Sequence, residues 1–450
     1  MTKPTDIRIR DVAFDTERIE YRSPIKFGGR VVTDVVIANV GIDVETRDGR
    51  RGRGLGSMPI GNVWAWPSSA VTPPQSLEAM KRFVEGAVKQ AAEYRGCGHP
   101  LDMTHDLAAE HPALADSVVK QLDLVEPMPK LAQLVAASPI EAALHDAYGK
   151  TLGANSYNLL GRQYVHHDLA HYLTPEFAGE YLDRYTLREP KAKMPLYHLV
   201  GALDPLTDAD VNVPLDDGLP VTLGEWIVAD GLTHLKIKLN GDDLAWDVAR
   251  VVGVERVAVE AQASLRKTTW HYSLDFNEKC QNVEYLLEFL RKLQEQSPAA
   301  LARVHYIEQP THRDLAKHPE NKMHKAAAIK PVVIDESLVD LASLQLAREQ
   351  GYSGVALKAC KGHTEALLMG AAAQKYGMFL CVQDLSCPGY SFLHSASIAA
   401  RIPTIVAIEG NSRQYCPSGN RSWGEIFPSM FHITDGTVGT GVLTGNGLGF

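Results

Sequence analysis

No stretch of the 450 residues approaches the run of about 18 apolar residues that a membrane-crossing helix needs. The start, MTKPTDIRIRDV, lacks the apolar core of a secretion signal. Membrane spanning and secretion are therefore disfavoured, and a cytoplasmic protein is expected. Cysteine is scarce: Cys97, Cys280, Cys360, Cys381, Cys387 and Cys416 are widely scattered and form no CxxC pair. That argues against a disulfide framework or a zinc knuckle and for free thiols in a reducing compartment. Basic tracts are missing too, and the formal net charge is -9, so a nucleic-acid partner is not expected. The C-terminal glycines do not complete a GxGxxG after a strand, which leaves dinucleotide binding unsupported. His312-Arg313-Asp314 imitates a kinase catalytic loop, but no Gly-rich phosphate loop precedes it, and it reads as a surface turn. His394, in SFLHSAS, reads as a satisfied core residue on a helix.

What remains is an ordinary globular composition, 45% hydrophobic and 22% charged. The length accommodates an α/β barrel of about 250 residues with a smaller partner. The first part reads as α+β. Ile7 and Ile9 alternate with charges, VVTDVVIANVGIDVET is a long β-rich run, and Asp48-Gly49 supplies a turn before RGRGLG. Helical stretches follow, including LEAMKRFVEGAVKQAAEY and SPIEAALHDAYGKTLG, with Ser138-Pro139 as a helix start and Gly153 as a stop.

From about residue 195 short apolar runs alternate with amphipathic stretches. MPLYHLVG, HLKIKL, WHYSLDF, VHYIEQ, PVVIDE, GVALKA, MFLCVQD and TIVAIE are the candidate strands. NVEYLLEFLRKL, with Val283, Leu286, Leu287 and Leu290 on one face, is a typical intervening helix. Eight such units predict a (β/α)₈ barrel behind an N-terminal α+β capping domain. The expected division is 1–155 for the cap, 156–425 for the barrel, and 426–450 for a Gly/Thr-rich tail returning to the cap. DADVNVPLDDGLPVT reads as an insertion after the first barrel strand.

Most of the candidate strands end in a charged or amide residue: Lys236 and Lys238, Asp275, Glu308, Asp335, Lys358, Gln383 or Asp384, and Glu409. Strand C-termini of a barrel converge on one mouth, where active sites lie. Asp275, Glu308 and Asp335 come from consecutive units, and three carboxylates aimed at one spot repel unless a cation holds them. A hard divalent ion suits such oxygen ligands: Mg²⁺, with Mn²⁺ as an alternative. Each acid alone would more commonly be a helix cap; the set argues for the ion. Lys236 and Lys238 share a face of their strand. On an exposed strand that face would be solvated, but barrel strands are covered outside by helices, which leaves it pointing inward. Lys358, four strands further round, should face Lys238 across the mouth. Lysines near a dication and near each other should have lowered pKa values, as a general base requires. With a metal neutralising a developing enediolate, one lysine can take the α-proton of a carboxylate substrate while the other returns one.

In order and spacing these motifs resemble the enolase superfamily, specifically its muconate lactonizing enzyme-like subgroup (the mandelate racemase/muconate lactonizing enzyme family). HLKIKL is similar to its KxK motif, LDFN to its D-x-N motif, and YIEQP, VIDES and ALKACKG carry Glu308, Asp335 and Lys358. The resemblance implies Asp275, Glu308 and Asp335 as metal ligands, Lys238 and Lys358 as the acid/base pair, and Lys236 as an offset for the substrate carboxylate. It also implies cap loops closing over the mouth, here YRSPIKFGGR and LGSMPIGNVWAWP. Phe27, Trp64 and Trp66 thereby become candidate substrate contacts, with ordinary packing the even alternative. Asp384 and Glu409 complete the substrate-binding candidates.

Departures exist: His363 stands where relatives often have a second glycine, and Glu409 is followed by GNSR rather than by the second acid of an Asp-x-Asp pair. A homo-oligomeric racemase or epimerase acting on a small carboxylate is the preferred reading. A lyase (dehydratase) or cycloisomerase on the same scaffold is the alternative. A metal-free Schiff-base aldolase and a non-catalytic protein are the remaining rivals.

Overall fold

The computed structural model describes residues 3–27, 30–212 and 214–450; the side chain of Phe27 falls outside the described residues. The N-terminal layer is a meander of β1 (Ile7–Phe27), β2 (Arg30–Thr46) and β3 (Arg51–Pro59), all antiparallel. Gly49, at a φ of 88°, turns the chain between β2 and β3, where Thr46 and Arg50 close the bend. One face of this sheet packs on helix Lys130–Leu152, and the RGRGLG alternation shows why. Gly52, Gly54 and Gly56 turn toward the helix backbone, so that a Cβ on Gly54 would overlap Ala143 O and Ala147 N, and one on Gly56 would overlap Pro139 O. Gly54→Ala is therefore expected to lower the unfolding free energy by about 3 kcal/mol, the upper end of overpacking costs. Urea denaturation measures this, and a loss below about 1 kcal/mol would mean that strand and helix separate freely.

Helix Lys130–Leu152 starts eight residues before the expected Ser138-Pro139 boundary and carries Pro139 inside it. Proline lacks the N–H that should bond the carbonyl of Val135. Ser138 Oγ donates to that carbonyl at 2.8 Å instead, so the helix runs through. Gly153, left-handed at a φ of 67°, ends it as expected.

All eight expected barrel strands form: β4 (Met194–Val200), β5 (His234–Lys238), β6 (His271–Asp275), β7 (Val304–Glu308), β8 (Val332–Ile334), β9 (Gly354–Leu357), β10 (Phe379–Val382) and β11 (Ile408–Glu409). Neighbours are parallel in that order, and β11 returns to β4 through Ile408↔Leu196 and Glu409↔Tyr197, closing the barrel. Successive inward positions stack in layers two residues apart. Tyr197, Tyr306, Val333, Ala356, Cys381 and Ala407 form a buried hydrophobic plug. Two residues further on along five of these strands come Glu308, Asp335, Lys358, Gln383 and Glu409. The polar mouth therefore rests on a hydrophobic floor.

The tail does two things rather than one. Thr437–Val438, β12, pairs antiparallel with the start of β4. Residues near Gly447 then reach the cap helix, where Leu448 N–H bonds Asp146 Oδ1 at 3.0 Å. The segment after β4 loops out to helix Leu223–Asp230, and Arg22 of β1 clasps it by donating to Asp217 and to the carbonyl of Leu219. His394 is fully buried on its helix between the rings of Tyr390 and Phe450, yet neither ring nitrogen has a hydrogen-bond partner. It is a core residue, as expected, but not a satisfied one.

Candidate active site

The mouth of the barrel gathers the charged residues at the strand ends into one buried network. Lys236 is its hub: Nζ lies 3.0 Å from Glu308 Oε1, 2.9 Å from Glu409 Oε2 and 3.1 Å from Asp275 Oδ2. Lys238 donates to Asp275 and, at 3.1 Å, to Asn277 Oδ1. On the far side Lys358 sits 2.9 Å from Asp335 Oδ2 and 3.3 Å from the carbonyl of Asp384. Lys361 adds an ion pair to Asp335 Oδ1 at 3.0 Å. Read around the barrel, the row is lysine, three acids, lysine. Lys238 touches the first acid and Lys358 the last. All five side chains are at most 7% exposed.

Burial sets the electrostatics. It pushes the Glu308 carboxyl well above its ordinary pKa, and Asp275 adds to the rise against the opposing Lys236. Burial would drag Lys236 down, but Glu308, Glu409 and Asp275 together outweigh it and hold the ammonium strongly protonated. Lys358 behaves alike: burial lowers it, Asp335 raises it further, and the balance lies above the usual lysine value. The expected lowering of pKa is thus not met at Lys236 and Lys358 in this arrangement, because the carboxylates around them outweigh burial. Among the described residues no group of three His, Cys, Asp or Glu converges in ligand geometry; ammonium groups stand among the acids. Even so, both carboxylate oxygens of Asp335 lack a hydrogen bond despite their ion pairs.

Trp64 comes down from the cap as its loop suggested. Its indole donates to Glu336 Oε1 at 2.9 Å, and Lys358 Nζ lies 4.5 Å from the ring centroid, within cation–π range. Trp66 does not join it. That side chain is 1% exposed and donates to Glu126 within the cap, the packing role weighed against substrate contact. Asp384 is buried near the mouth, but its carboxylate accepts from the backbone of Leu385, Cys387 and Asn411. It shapes the loop rather than facing the acid row, and burial plus the Glu409 charge push it up to about 6. The inward residue at that strand end is Gln383, which donates to Glu308, as the period of two along the strand dictates.

Several groups escaped sequence reading. Glu336 follows Asp335 directly, is fully buried, and is pushed up to about 7 by burial and by Asp335. Gln309 holds Asp335 in place: its Oε1 accepts from the backbone N–H of Asp335 at 2.9 Å and of Ser337 at 3.2 Å. Arg313, discounted as part of a surface turn, forks onto Glu278 and donates to the carbonyl of Trp64 at 3.0 Å. It ties the cap loop to the barrel. Its flanking Glu278 lies three residues beyond Asp275, but nothing in the sequence marks the two as partners.

The model of the enolase C-terminal domain-like family matches residues 221–450. The L-Ala-D/L-Glu epimerase of Bacillus subtilis (strain 168) is 28% identical over 234 residues, which are 48% of this chain and 59% of that protein. The match therefore spans less than two thirds of that relative. A substrate-liganded structure of the B. subtilis epimerase has a TM-score of 0.65 at 17% identity, covering 98% of both chains. A Pseudomonas fluorescens enolase with bound magnesium, potassium and tartrate gives 0.64 at 15%, covering 100% of this chain and 90% of that one. A muconate lactonizing enzyme from Pseudomonas fluorescens, complexed with muconolactone, gives 0.58 at 18%, covering 98% and 96%. Those three likenesses carry the fold, and the family match carries the kinship. The chain belongs to the enolase C-terminal domain-like family, within the mandelate racemase and muconate lactonizing branch of the enolase superfamily.

Proposed function

We propose that this protein moves the α-proton of a small carboxylate substrate between two lysines, as a racemase or epimerase. One observation supports this above others: Lys238 and Lys358 lie at opposite ends of a row of three buried acids. Asp275, Glu308 and Asp335 are the proposed holders of a divalent ion, Mg²⁺ before Mn²⁺. Their all-oxygen donor set fits a hard cation, and the oxygens of Asp335 are held only by the ion pairs to Lys358 and Lys361. Bound there, the ion would supply the positive charge that anchors the substrate carboxylate and offsets charge developing beside it.

The chain's own groups do the rest. With its carboxylate partner engaged elsewhere, either lysine can shed a proton and become a free amine. That amine takes the α-proton and becomes an ammonium. The opposite ammonium delivers a proton to the other face, so configuration inverts and the proton count balances. Lys236 offsets negative charge under the substrate, and Trp64 covers Lys358. The division into cap 1–155, barrel 156–425 and tail 426–450 belongs to the same proposal, as does assembly into a homo-oligomer in the cytoplasm.

The test is a panel of acid sugars, N-acyl amino acids, dipeptides and betaines in D₂O with Mg²⁺, read by mass spectrometry. The expected result is α-deuteration that disappears in EDTA. Exchange that survives EDTA together with borohydride-dependent labelling of Lys358 would favour the Schiff-base aldolase and overturn this reading.

A further inference from the structure

Helix His363–Lys375 begins shortly after Lys358, and its first turn is held by the cap. Between the two lies a tight turn. Lys361 N–H bonds the carbonyl of Lys358 there, and Gly362 N–H that of Ala359, both at 3.1 Å. Lys358 and Lys361, at the two ends of this turn, both pair with Asp335. Gly362 heads the helix and has no side chain to accept from the free N–H groups of its first turn. Glu141 of helix Lys130–Leu152 supplies the acceptor from the other layer: its Oε2 takes the N–H of Thr364 at 2.9 Å. Gly362 has a φ of 105°, and a Cβ on it would lie 2.7 Å from both oxygens of Glu141. The carboxyl is seated directly on the backbone.

Other cap groups meet the same spot. Thr364 Oγ1 lies 2.7 Å from Thr104 Oγ1 and 2.9 Å from His145 Nε2, all buried. His363, which stands where relatives often have a second glycine, packs its ring 4.6 Å from that of His145 and 5.6 Å from that of Tyr157. The departure from the motif thus adds to the grip of the cap. Glu141 takes no part in the acid row of the mouth. Burial pushes its carboxyl up to about 8 against the lowering pull of the Thr364 N–H, so near neutral pH it is chiefly an uncharged acceptor.

We propose that Glu141 is a positioning residue: by capping helix His363–Lys375 from the other layer, it fixes the turn at 358–362 and so the placement of the Lys358 ammonium against Asp335 and Trp64. The inference rests on the role proposed for Lys358. It makes the seating of the cap helix, as well as the Trp64 indole, a condition of that lysine's geometry.

Hydrogen exchange of the whole protein, read by mass spectrometry, tests the grip without turnover. Glu141→Ala should speed amide exchange at 361–366 roughly tenfold, while the barrel strands keep their protection. Glu141→Gln, with a neutral oxygen at the same reach, should preserve it. Unchanged protection at 361–366 in Glu141→Ala would overturn the proposal. If that variant does not fold, Glu141→Asp, one methylene short, takes its place and must show the same local opening. On a carboxylate that the wild type α-deuterates, Glu141→Ala should lower kcat about 10²-fold with KM unchanged. The loss should fall on the enantiomer that Lys358→Ala also loses, and Glu141→Gln should restore it. Equal loss from both enantiomers would make Glu141 a general support of the fold and overturn its link to Lys358. If no carboxylate exchanges, the proposed reaction fails, and the amide measurement still decides whether Glu141 holds the turn.

Discussion

Lys358→Ala is expected to cut exchange of the substrate α-proton with solvent deuterium by about 10³-fold, within the usual range for removal of a general acid or base. Lys358 pairs with Asp335 at the end of the acid row, and its ammonium lies nearer the Trp64 indole than that of Lys361, 4.5 Å against 5.7 Å from the ring centroid. Its loss should leave divalent-ion binding in place, because the three proposed ligands remain; calorimetric titration with Mg²⁺ checks that separately. Lys238→Ala is the mirror experiment. If two lysines serve opposite faces, each variant should stop exchange from one enantiomer more completely than from the other. Wild-type exchange in Lys358→Ala would remove that residue from the chemistry. Symmetric loss from both enantiomers in both variants would favour an elimination or cycloisomerisation with one lysine as a bystander.

Glu308→Gln should have the second large effect, and in two directions. Glu308 is the middle acid, fully buried, with its pKa raised by burial and by Asp275. An acid whose folded pKa lies above its unfolded value binds more protons in the native state. Stability therefore falls as pH rises from the ordinary carboxyl range toward the raised value. In EDTA the glutamine variant should lose this slope and be the more stable protein at neutral pH, with Lys236 still paired to Asp275 and Glu409. With Mg²⁺ the order should reverse. A ligand at 100 times its Kd adds about 2.7 kcal/mol to the native state, so the wild-type Tm should climb while that of the variant stays flat. Exchange activity should fall about 10³-fold. An equal Mg²⁺-dependent rise in both proteins would place the ion elsewhere.

The barrel was legible because its signal is repeated and local. Apolar runs ending in a polar residue recur through the second half of the chain, and strand periodicity assigns Lys236, Lys238, Glu308 and Lys358 to the interior without any tertiary information. The same period should have preferred Gln383 to Asp384, since Cys381 and Gln383 share a face. Asp384, the charged neighbour, accepts instead from the backbone of Leu385, Cys387 and Asn411. Pro139 marks a helix start by its missing N–H alone, but the hydroxyl of Ser138 next door replaces the missing bond. What could not be read were contacts made between layers. The Trp64–Glu336 hydrogen bond joins residues 272 positions apart, and the Arg313 contact to the Trp64 carbonyl spans 249. No spacing in the chain encodes such a meeting, and Trp64 and Trp66, two residues apart in one loop, were indistinguishable until the loop had a shape.

The indole over Lys358 is lent by one layer of the molecule to the other. Under the proposed reaction, shelter of a newly formed carbanion from bulk water would be a property of the docked pair, not of the barrel. A barrel stripped of its cap would retain each amine and acid, yet would leak hydrons to solvent and forget which face it had opened.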